Sequence, residues 1–258
     1  MSNLECLVSL PYETRNLEVA SFTVNDEFLL KPDFQILQSN IKAKENEFKS
    51  IFIQAKIKKD AIEVSFILQK CGFYFMEATV VPQSNLIKNA VLHQFVKNKS
   101  NFIPACYGQN DLNIQIANQN NTDVRKSIEK IASKSFTDDR FHLDPKCPNS
   151  SADIRFVNWV GDLYSDENVT FYTLGYKAEN IAFMCRKDSH LILAGFDSSY
   201  RNSGLGDYLW LSVMQDMIEK KTTHANTLIS VNNAAVLNLY ARLGFKFKDT
   251  SMTYHYWS

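Results

Sequence analysis

Residues 191–209 read LILAGFDSSYRNSGLGDYL, a β-rich run that leads through a polar loop into an amphipathic helix. The loop consists of Arg201, Asn202, Ser203, Gly204, Leu205 and Gly206. Its two glycines let backbone N–H groups turn toward one point, and the helix start adds unpaired donors and the positive end of its dipole. The pattern predicts a cradle for a pyrophosphate, with close packing at the glycines as the alternative interpretation. Neither GxxxxGK[ST] nor GxGxxG followed by a suitably spaced acidic residue occurs.

The overall composition favours a packed globular protein. Among its 258 residues, 45% are hydrophobic and 22% are charged, which is enough apolar surface for a core. Lys plus Arg and Asp plus Glu each number 28, so the formal net charge is zero and nucleic acid is not an expected partner. The sequence contains neither a membrane-length apolar run nor an N-terminal secretory pattern. We therefore expect no membrane association and a cytoplasmic protein.

The cysteines do not indicate a disulfide framework or a metal site. There are five, Cys6, Cys71, Cys106, Cys147 and Cys185, and they form no CxxC pair. An odd, scattered set is typical of reduced thiols. We expect no bound metal.

The order of predicted elements indicates an α/β protein with two parts. Residues 1 to about 81 read as strands and one helix, and residues 83–110 read as a connector. A boundary near 112 divides the chain into residues 1–111, a smaller α/β domain, and residues 112–258. In the second part, helical patterns run from Val124 to about Phe136 and from about Ile154 to Leu163. Three β-rich runs between 169 and 196 then predict an antiparallel meander. The loop, a helix, a strand, a second helix and a paired strand ending follow it.

One pattern occurs twice. Residues 65–78, SFILQKCGFYFMEA, and residues 237–250, LNLYARLGFKFKDT, both read as a helix, a Gly-Phe stop and a strand. The repeat suggests that the N-terminal part is a reduced copy of the same α/β unit. Helix-glycine-strand junctions are common, so coincidence is an equally good interpretation of this single match.

Two stretches together resemble the GNAT superfamily of acetyltransferases. Residues 191–209 match its strand, R/Q-x-x-G-x-G/A loop and helix, and residues 231–247, VNNAAVLNLYARLGFKF, match its Asn-rich turn, helix tyrosine and Gly-Phe stop. The resemblance implies the GNAT fold, a mixed and mainly antiparallel central sheet flanked by helices. It implies acetyl-CoA as cosubstrate, held by Leu193, Gly195, Phe196, Arg201, Asn202, Ser203, Gly204, Leu205, Gly206, Asn232 and Asn233.

The resemblance extends to the dTDP-fucosamine (dTDP-4-amino-4,6-dideoxygalactose) N-acetyltransferases, which make precursors of bacterial surface polysaccharides. Residues 12–24, YETRNLEVASFTV, are similar to the opening of their N-terminal domains, although Tyr12 replaces Trp and Glu18 replaces Gly. Residues 61–81 and 135–160 are similar to their helix-Gly-Phe-strand unit and to their Arg-Phe-containing insert. The resemblance implies an amino group on a nucleotide-linked deoxyamino sugar as the acceptor.

Acetyl transfer to an amine needs an acid for the departing thiolate and a route for the amine proton. Tyr240 matches the tyrosine acid of the superfamily, although its helical spacing also fits a core residue. His190, eleven positions before Arg201, matches the place where histone-modifying relatives have a glutamate base. A surface role for His190 and proton release to water are the alternatives. A local bulge is expected to open the strand at residues 193–195. The backbone N–H groups exposed there are expected to stabilise the oxyanion.

The insert supplies the candidate acceptor residues Arg140, His142, Asp153 and Trp159. Arginine suits a diphosphate, and an aromatic face suits a base or a hexose. The alternative is a surface ion pair between Arg140 and Asp153, with Trp159 in the core.

The sequence therefore predicts an N-acetyltransferase that acts by direct transfer, without a covalent enzyme intermediate, on a nucleotide-linked amino sugar. Action on another small amine or on a protein N-terminus is the nearest alternative. A non-catalytic acyl-CoA-binding sensor is the alternative from a different class. The 18 phenylalanines suggest a homodimer interface in addition to the cores.

Overall fold

The computed structural model describes residues 6–118, 120–137 and 139–258. The α-helices are α1 (Pro11–Leu17), α2 (Phe34–Glu47), α3 (Ile62–Lys70), α4 (Ala90–Lys97), α5 (Thr122–Ser135), α6 (Asn149–Tyr164), α7 (Gly206–Glu219) and α8 (Ala234–Arg242). The strands are β1 (Leu7–Ser9), β2 (Ala20–Val24), β3 (Ile51–Lys58), β4 (Tyr74–Asn85), β5 (Leu112–Ile116), β6 (Val169–Tyr176), β7 (Glu179–Lys187), β8 (His190–Phe196), β9 (His224–Asn226), β10 (Ile229–Ser230) and β11 (Lys246–Trp257). In this part of the chain no helix combines the length and the apolarity needed to cross a bilayer.

All the strands belong to one sheet of 11 strands in the order β1-β2-β3-β11-β4-β9-β8-β7-β6-β5, with the short β10 paired to β4. Most neighbours are antiparallel, and β2–β3 and β8–β9 are the parallel pairs. The meander predicted between residues 169 and 196 is confirmed as β6, β7 and β8. The structure thus confirms the predicted mixed, mainly antiparallel sheet.

Strands from the two parts of the sequence alternate in the middle of the sheet, in the order β3-β11-β4-β9. β11, the last strand of the chain, lies between β3 and β4, and pairs antiparallel with both. β4, from the first part, pairs with β9 from the second. One hydrogen-bonded sheet therefore runs through both parts. The domain boundary near residue 112 stays a prediction from the sequence.

The repeated pattern corresponds to two similar units. α3 and α8 each have nine residues, each is followed by a glycine with positive φ (Gly72, +91°; Gly244, +77°), and each leads into a 12-residue strand. A left-handed glycine ends a helix without a Cβ clash and turns the chain toward the sheet. The two strands that follow, β4 and β11, pair directly with each other.

Helices cover both faces of the sheet, because consecutive strand residues point to opposite sides. Tyr172 and Met184 pack with α7 and α8 on one face, whereas Phe171 and Phe183 pack with α5 and α6 on the other. A separate core beneath β1 to β3 includes Phe22, Leu37, Ile53 and Leu68.

The N-terminal part contains more helix than the sequence indicated. Only one helix was expected before residue 81, but α1 and the 14-residue α2 precede it. α2 begins where the Asp33 side chain accepts a hydrogen bond from the Ile36 N–H at 2.9 Å. Its buried residues are Leu37 and Ile41, a stripe too narrow to give a clear helical pattern.

Candidate functional site

A cavity of about 280 Å³ opens in the middle of the sheet, where two neighbouring strands separate. One wall is β8, from Leu191 to Ala194, and the opposite wall is formed by residues 227–230 around β10. Trp210, Tyr240 and Met184 also line the cavity, and so do Glu77 on β4 and residues of the insert and α6. The cavity therefore joins both sequence parts.

The separation of the strands follows from their pairing. β8 and β9 pair at a single position, His190 with Asn226, and diverge from there. On the other side of β8, Cys185 pairs with Leu193 and Arg186 with Leu191, which makes Ile192 an extra, bulged residue. The bulge predicted beside residues 193–195 is thus present at Ile192. The divergence of β9 leaves the β8 edge that faces the cavity without a strand partner among the described residues from 191 onward.

Tyr240 lies on α8 with its side chain in the cavity wall. The helix begins at the Asn-rich turn, where Asn233 Oδ1 accepts a hydrogen bond from the Val236 N–H at 3.1 Å. Asn232 is exposed beside it. The Tyr240 ring packs edge-on against Phe245, with 4.8 Å between ring centroids. Burial raises the pKa of Tyr240 to about 12, and the side chains of Trp210 and Thr227 lower it.

The loop at residues 201–206 has the backbone of an anion cradle. Asn202 and Gly204 both have positive φ, +58° and +79°. α7 then begins without a side-chain cap, so the N–H groups of its first turn remain available. The carboxylate of Asp207, in that turn, is paired with Arg242 at 2.9 Å, which neutralises a charge that would repel an anion. The residues of the 201–206 loop are exposed or half-buried, except Leu205, which is buried.

The strand leading to the loop lies beside α5. Leu193 lines the cavity, while Gly195 and Phe196 continue from it toward the loop. The Ser135 hydroxyl, at the end of α5, donates to the Phe196 carbonyl at 3.1 Å. Arg201 bonds to the Lys134 carbonyl through its guanidinium. These contacts fix the cradle to α5, and they fit a diphosphate bound by backbone N–H groups rather than by the Arg201 side chain.

Two of the predicted acceptor residues, Arg140 and Trp159, line the same cavity as Tyr240. The surface ion pair between Arg140 and Asp153, which was the alternative interpretation, does not form. Instead, Arg140 Nη2 donates to Gln54 Oε1 at 3.0 Å, and Arg140 Nη1 lies 3.5 Å from Glu77 Oε1. Trp159 is half-buried rather than a core residue. The structure thus brings Arg140, Trp159 and Tyr240 together.

The other two predicted acceptor residues are not among those lining the cavity. His142 lies between two carboxylates, Asp139, bonded to Nδ1, and Asp153, 3.0 Å from Nε2. Burial lowers the pKa of His142, but the hydrogen bonds that its ring donates to these carboxylates raise it above its usual value. His142 and Asp153 tie the insert to α6, which carries Trp159.

His190 also lies outside the set of cavity-lining residues. It is exposed at the first position of β8, and its Nδ1 is 2.8 Å from Asn226 Oδ1. This pair sits where β8 and β9 begin to diverge. The geometry therefore gives His190 a place at the strand junction and does not support it as the base.

Several cavity residues were missed by the sequence analysis. Glu77 is buried on β4, and Arg155 on α6 makes a two-point ion pair with Glu13 at 2.8 and 2.9 Å. Arg140 lies 3.7 Å from Glu13, so two arginines and two glutamates form one buried, electroneutral cluster. A charged residue inside the β-rich run of residues 73–81 was the available signal for Glu77.

Comparisons with known proteins give structural likeness without sequence likeness. No family model matches the chain, and no curated protein matches it. A conserved protein of unknown function from Staphylococcus epidermidis superposes with a TM-score of 0.63 at 8% identity, over 98% of this chain and 92% of its own. A GCN5-related N-acetyltransferase from Sphaerobacter thermophilus gives 0.61 at 10% identity, over 97% of this chain and 75% of its own.

A third similar structure is a GCN5-related glucosamine N-acetyltransferase region in a fungal multi-domain β-N-acetylglucosaminidase. Its TM-score is 0.59 at 11% identity, over 97% of this chain and 30% of the fungal chain. The identities are too low to transfer a function, but the common architecture is clear. The chain has the fold of the GCN5-related N-acetyltransferases.

Proposed function

We propose that the protein transfers the acetyl group of acetyl-CoA directly to the amine of a small acceptor, an amino sugar. One observation carries the proposal: a single cavity, opened by the divergence of β8 and β9, is lined by both Tyr240 and Glu77. A group that can give a proton and a group that can take one thus border the same space. Acyl transfer to an amine needs both.

The donor side of the proposed site is β8 and the loop that follows it. The uncapped start of α7 and the left-handed residues of the loop suit a diphosphate. The free edge of β8 offers backbone N–H and C=O groups to an extended, amide-containing chain. In the proposed reaction, N–H groups next to the Ile192 bulge stabilise the oxyanion that forms on the thioester carbonyl.

The acceptor side combines a carboxylate with aromatic rings. Glu77 lies 3.5 Å from Arg140, longer than a strong ion-pair hydrogen bond, whereas Asp139 is bonded to His142 and to the Phe141 N–H. Glu77 is therefore the cavity carboxylate better placed to bind an ammonium group and take its proton. Phe141, Phe156 and Trp159 line the same side and offer apolar faces to a sugar ring.

The proposed reaction forms one bond and breaks one. The amine nitrogen, after losing a proton to Glu77, attacks the thioester carbonyl, and a C–N bond forms. The C–S bond breaks with its electron pair on sulfur, which takes the hydroxyl proton of Tyr240. The nitrogen, now bonded to the acetyl carbon, loses its second proton through solvent to the Tyr240 phenolate, and Glu77 releases its proton to solvent. The products are the N-acetyl compound, free coenzyme A and one proton.

The size and charge of the cavity bear on the acceptor. A volume of about 280 Å³ is at the small end of ligand sites, so a sugar ring fits better inside than a whole nucleotide sugar. Arg140 and Arg155 already face Glu77 and Glu13, and a diphosphate would compete for them. The similarity to a fold whose fungal member is a glucosamine N-acetyltransferase region supports an amino sugar. A nucleotide-linked deoxyamino sugar and a role in surface polysaccharide synthesis stay predictions.

The test is thiol release from acetyl-CoA over a panel of free hexosamines, dTDP- and UDP-linked amino sugars, and a peptide with a free N-terminus. We expect turnover with at least one amino sugar, and a loss of about 10²-fold or more in kcat for Tyr240→Phe. Calorimetry on both proteins should give the same Kd for acetyl-CoA, because the substitution removes only the hydroxyl.

Each other outcome points to a specific alternative. Turnover on the peptide alone would favour action on a protein N-terminus. Binding of acetyl-CoA with no turnover on any amine would favour a sensor. Absence of acetyl-CoA binding would reject the proposal altogether.

A further inference from the structure

Trp210 has a buried donor that the fold itself does not use. The residue lies on α7, is 5% exposed, and lines the cavity. Its indole Nε1 is buried and has no hydrogen-bond partner among the described residues. Buried polar groups are rarely left unpaired, because they lose their bonds to water without replacement. A phenylalanine would fill the same position without this cost, so the N–H calls for an explanation.

In the proposed reaction, the group that this N–H can serve is the Tyr240 hydroxyl. The two rings meet edge-on, with centroids 6.1 Å apart and an interplanar angle of 81°. Trp210 and Thr227 lower the pKa of Tyr240 against the larger effect of burial. The indole ring thus contacts the Tyr240 ring while its N–H has no partner in the described part of the fold, which leaves that N–H available to a phenolate.

The surroundings of Tyr240 contain few other groups that can do this. Thr227, 4% exposed, follows β9, and Phe245 and Leu239 are apolar neighbours. The charged side chains that line the cavity are Glu77, Asp139, Arg140 and Arg155, on β4, the insert and α6. A negative charge on Tyr240 would therefore depend on the neutral donors that line the same cavity, Trp210 and Thr227.

We propose that Trp210 and Thr227 are positioning residues that donate to the Tyr240 oxygen when its proton passes to the departing sulfur. The inference rests on the proposed function. In that step the O–H bond of Tyr240 breaks, an S–H bond forms, and the oxygen keeps the electron pair. Trp210 supplies N–H and Thr227 supplies O–H to that oxygen, and neither donor loses its proton. The pair stabilises the phenolate until solvent returns the proton.

The kinetic test is a double-mutant cycle on the full-length protein with acetyl-CoA and an active amine. Trp210→Phe is expected to lower kcat about tenfold and to leave the Kd for acetyl-CoA unchanged. In the Tyr240→Phe background the same substitution should have no further effect, because there is no phenolate to stabilise. Thr227→Val should behave in the same way. Multiplicative losses in the double variants would overturn the inference while leaving the proposed function intact.

A second measurement does not depend on turnover. With ¹⁵N-labelled tryptophan the protein gives three indole N–H signals, and Trp210→Phe identifies one of them. That signal should shift in Tyr240→Phe and stay in place in Tyr208→Phe, which removes a hydroxyl from the same helix. An unmoved Trp210 signal in Tyr240→Phe would overturn the inference. A wild type without turnover would instead reject the proposed function, and with it the catalytic part of this inference.

Discussion

Asp144 illustrates how a single buried carboxylate organises its surroundings. It accepts hydrogen bonds from Tyr74 at 2.7 Å, His255 Nδ1 at 2.7 Å, Trp257 Nε1 at 2.9 Å and the Lys146 N–H at 3.0 Å. Burial would raise the pKa of Asp144, but these donors lower it to about 2. The insert is thereby fastened to β4 and to the end of β11.

The His255 partner makes stability depend on pH. Burial lowers the pKa of His255 to about 4, although the Asp144 carboxylate raises it. Between pH 6.5 and 4 the unfolded chain binds a proton that the folded protein does not, so the free energy of unfolding falls as pH falls. We expect a slope on the order of 1 kcal/mol per pH unit from this group, measured by urea unfolding at several pH values.

His255→Phe is the variant that isolates this effect. Its ring suits a site beside Phe52 and Phe141, and it cannot take up a proton. The variant should lose stability at pH 7, since Asp144 loses a donor, but its stability should fall less steeply between pH 6.5 and 4. His93→Gln, on the exposed side of α4, is the control and should keep the wild-type slope. An unchanged slope in His255→Phe would contradict the assignment.

At this scale the sequence predicted some side chains and missed others for a physical reason. Tyr240, Arg140 and Trp159 were selected by motif or residue type, and they line one cavity. Glu77 was missed because its partners are far away in sequence. Thr253 meets it through pairing of β4 with β11, and the Arg140 side chain reaches it from the insert. His190 was selected by its spacing from Arg201. That spacing holds no information on the pairing of β8 with β9, which occurs at His190.

The loop between β8 and α7 depends on a glycine at position 204. Its φ of +79° disfavours a side chain, and a Cβ there would lie 2.9 Å from Pro104 Cγ in the connector. Gly204→Ala should therefore distort the cradle and weaken acetyl-CoA binding roughly tenfold, since the strain is about 1–2 kcal/mol. Calorimetric titration with acetyl-CoA measures the change.

Gly161→Ala, inside α6, is the matched control. A Cβ at that position would meet the flexible end of Arg125 at 3.4 Å, and alanine favours a helix interior. The control should keep its affinity and be at least as stable as the wild type. Equal affinity in both variants would show that the 201–206 loop does not hold the diphosphate.

Helix and strand positions were predictable where local patterns are strong. α5 was expected from Val124 to about Phe136 and spans Thr122–Ser135, because Asn121 caps it by accepting from the Val124 N–H. α6 was expected from Ile154 but begins at Asn149, directly after Pro148. Its first turn is polar and exposed, so hydrophobic periodicity could not mark it. The helical pattern of α2 was missed for a different reason, the narrowness of its buried stripe.

For the molecule as a whole, the exchange of strands predicts interdependent halves. β11 pairs with β3 and β4, and β4 pairs with β9. Residues 112–258 expressed alone would lack both neighbours of β11, and residues 1–111 alone would lack the strand between β3 and β4. We expect neither fragment to show a cooperative unfolding transition by circular dichroism.

Coexpression of the two fragments tests this expectation, because the break falls in the connector near the exposed Gly108. The fragments should copurify as one complex with a single unfolding transition. A cooperative, independently folded 112–258 fragment would contradict the prediction and support two separable domains.

The fold of one chain accommodates most of the phenylalanines without a second protein. Of the 18 in the sequence, only Phe66, Phe75 and Phe247 are exposed, and most of the others lie in the cores. A homodimer remains a prediction that light scattering can test. The number of phenylalanines in the sequence does not by itself indicate a dimer interface.

The central position of β11 has a consequence during synthesis. Ribosomes make β3 and β4 long before β11, the strand that fills the gap between them. Until then each presents an unpaired edge, the kind of surface on which nascent chains aggregate. Completion of the sheet, and with it the joining of Glu77 to Tyr240, must therefore await synthesis of β11.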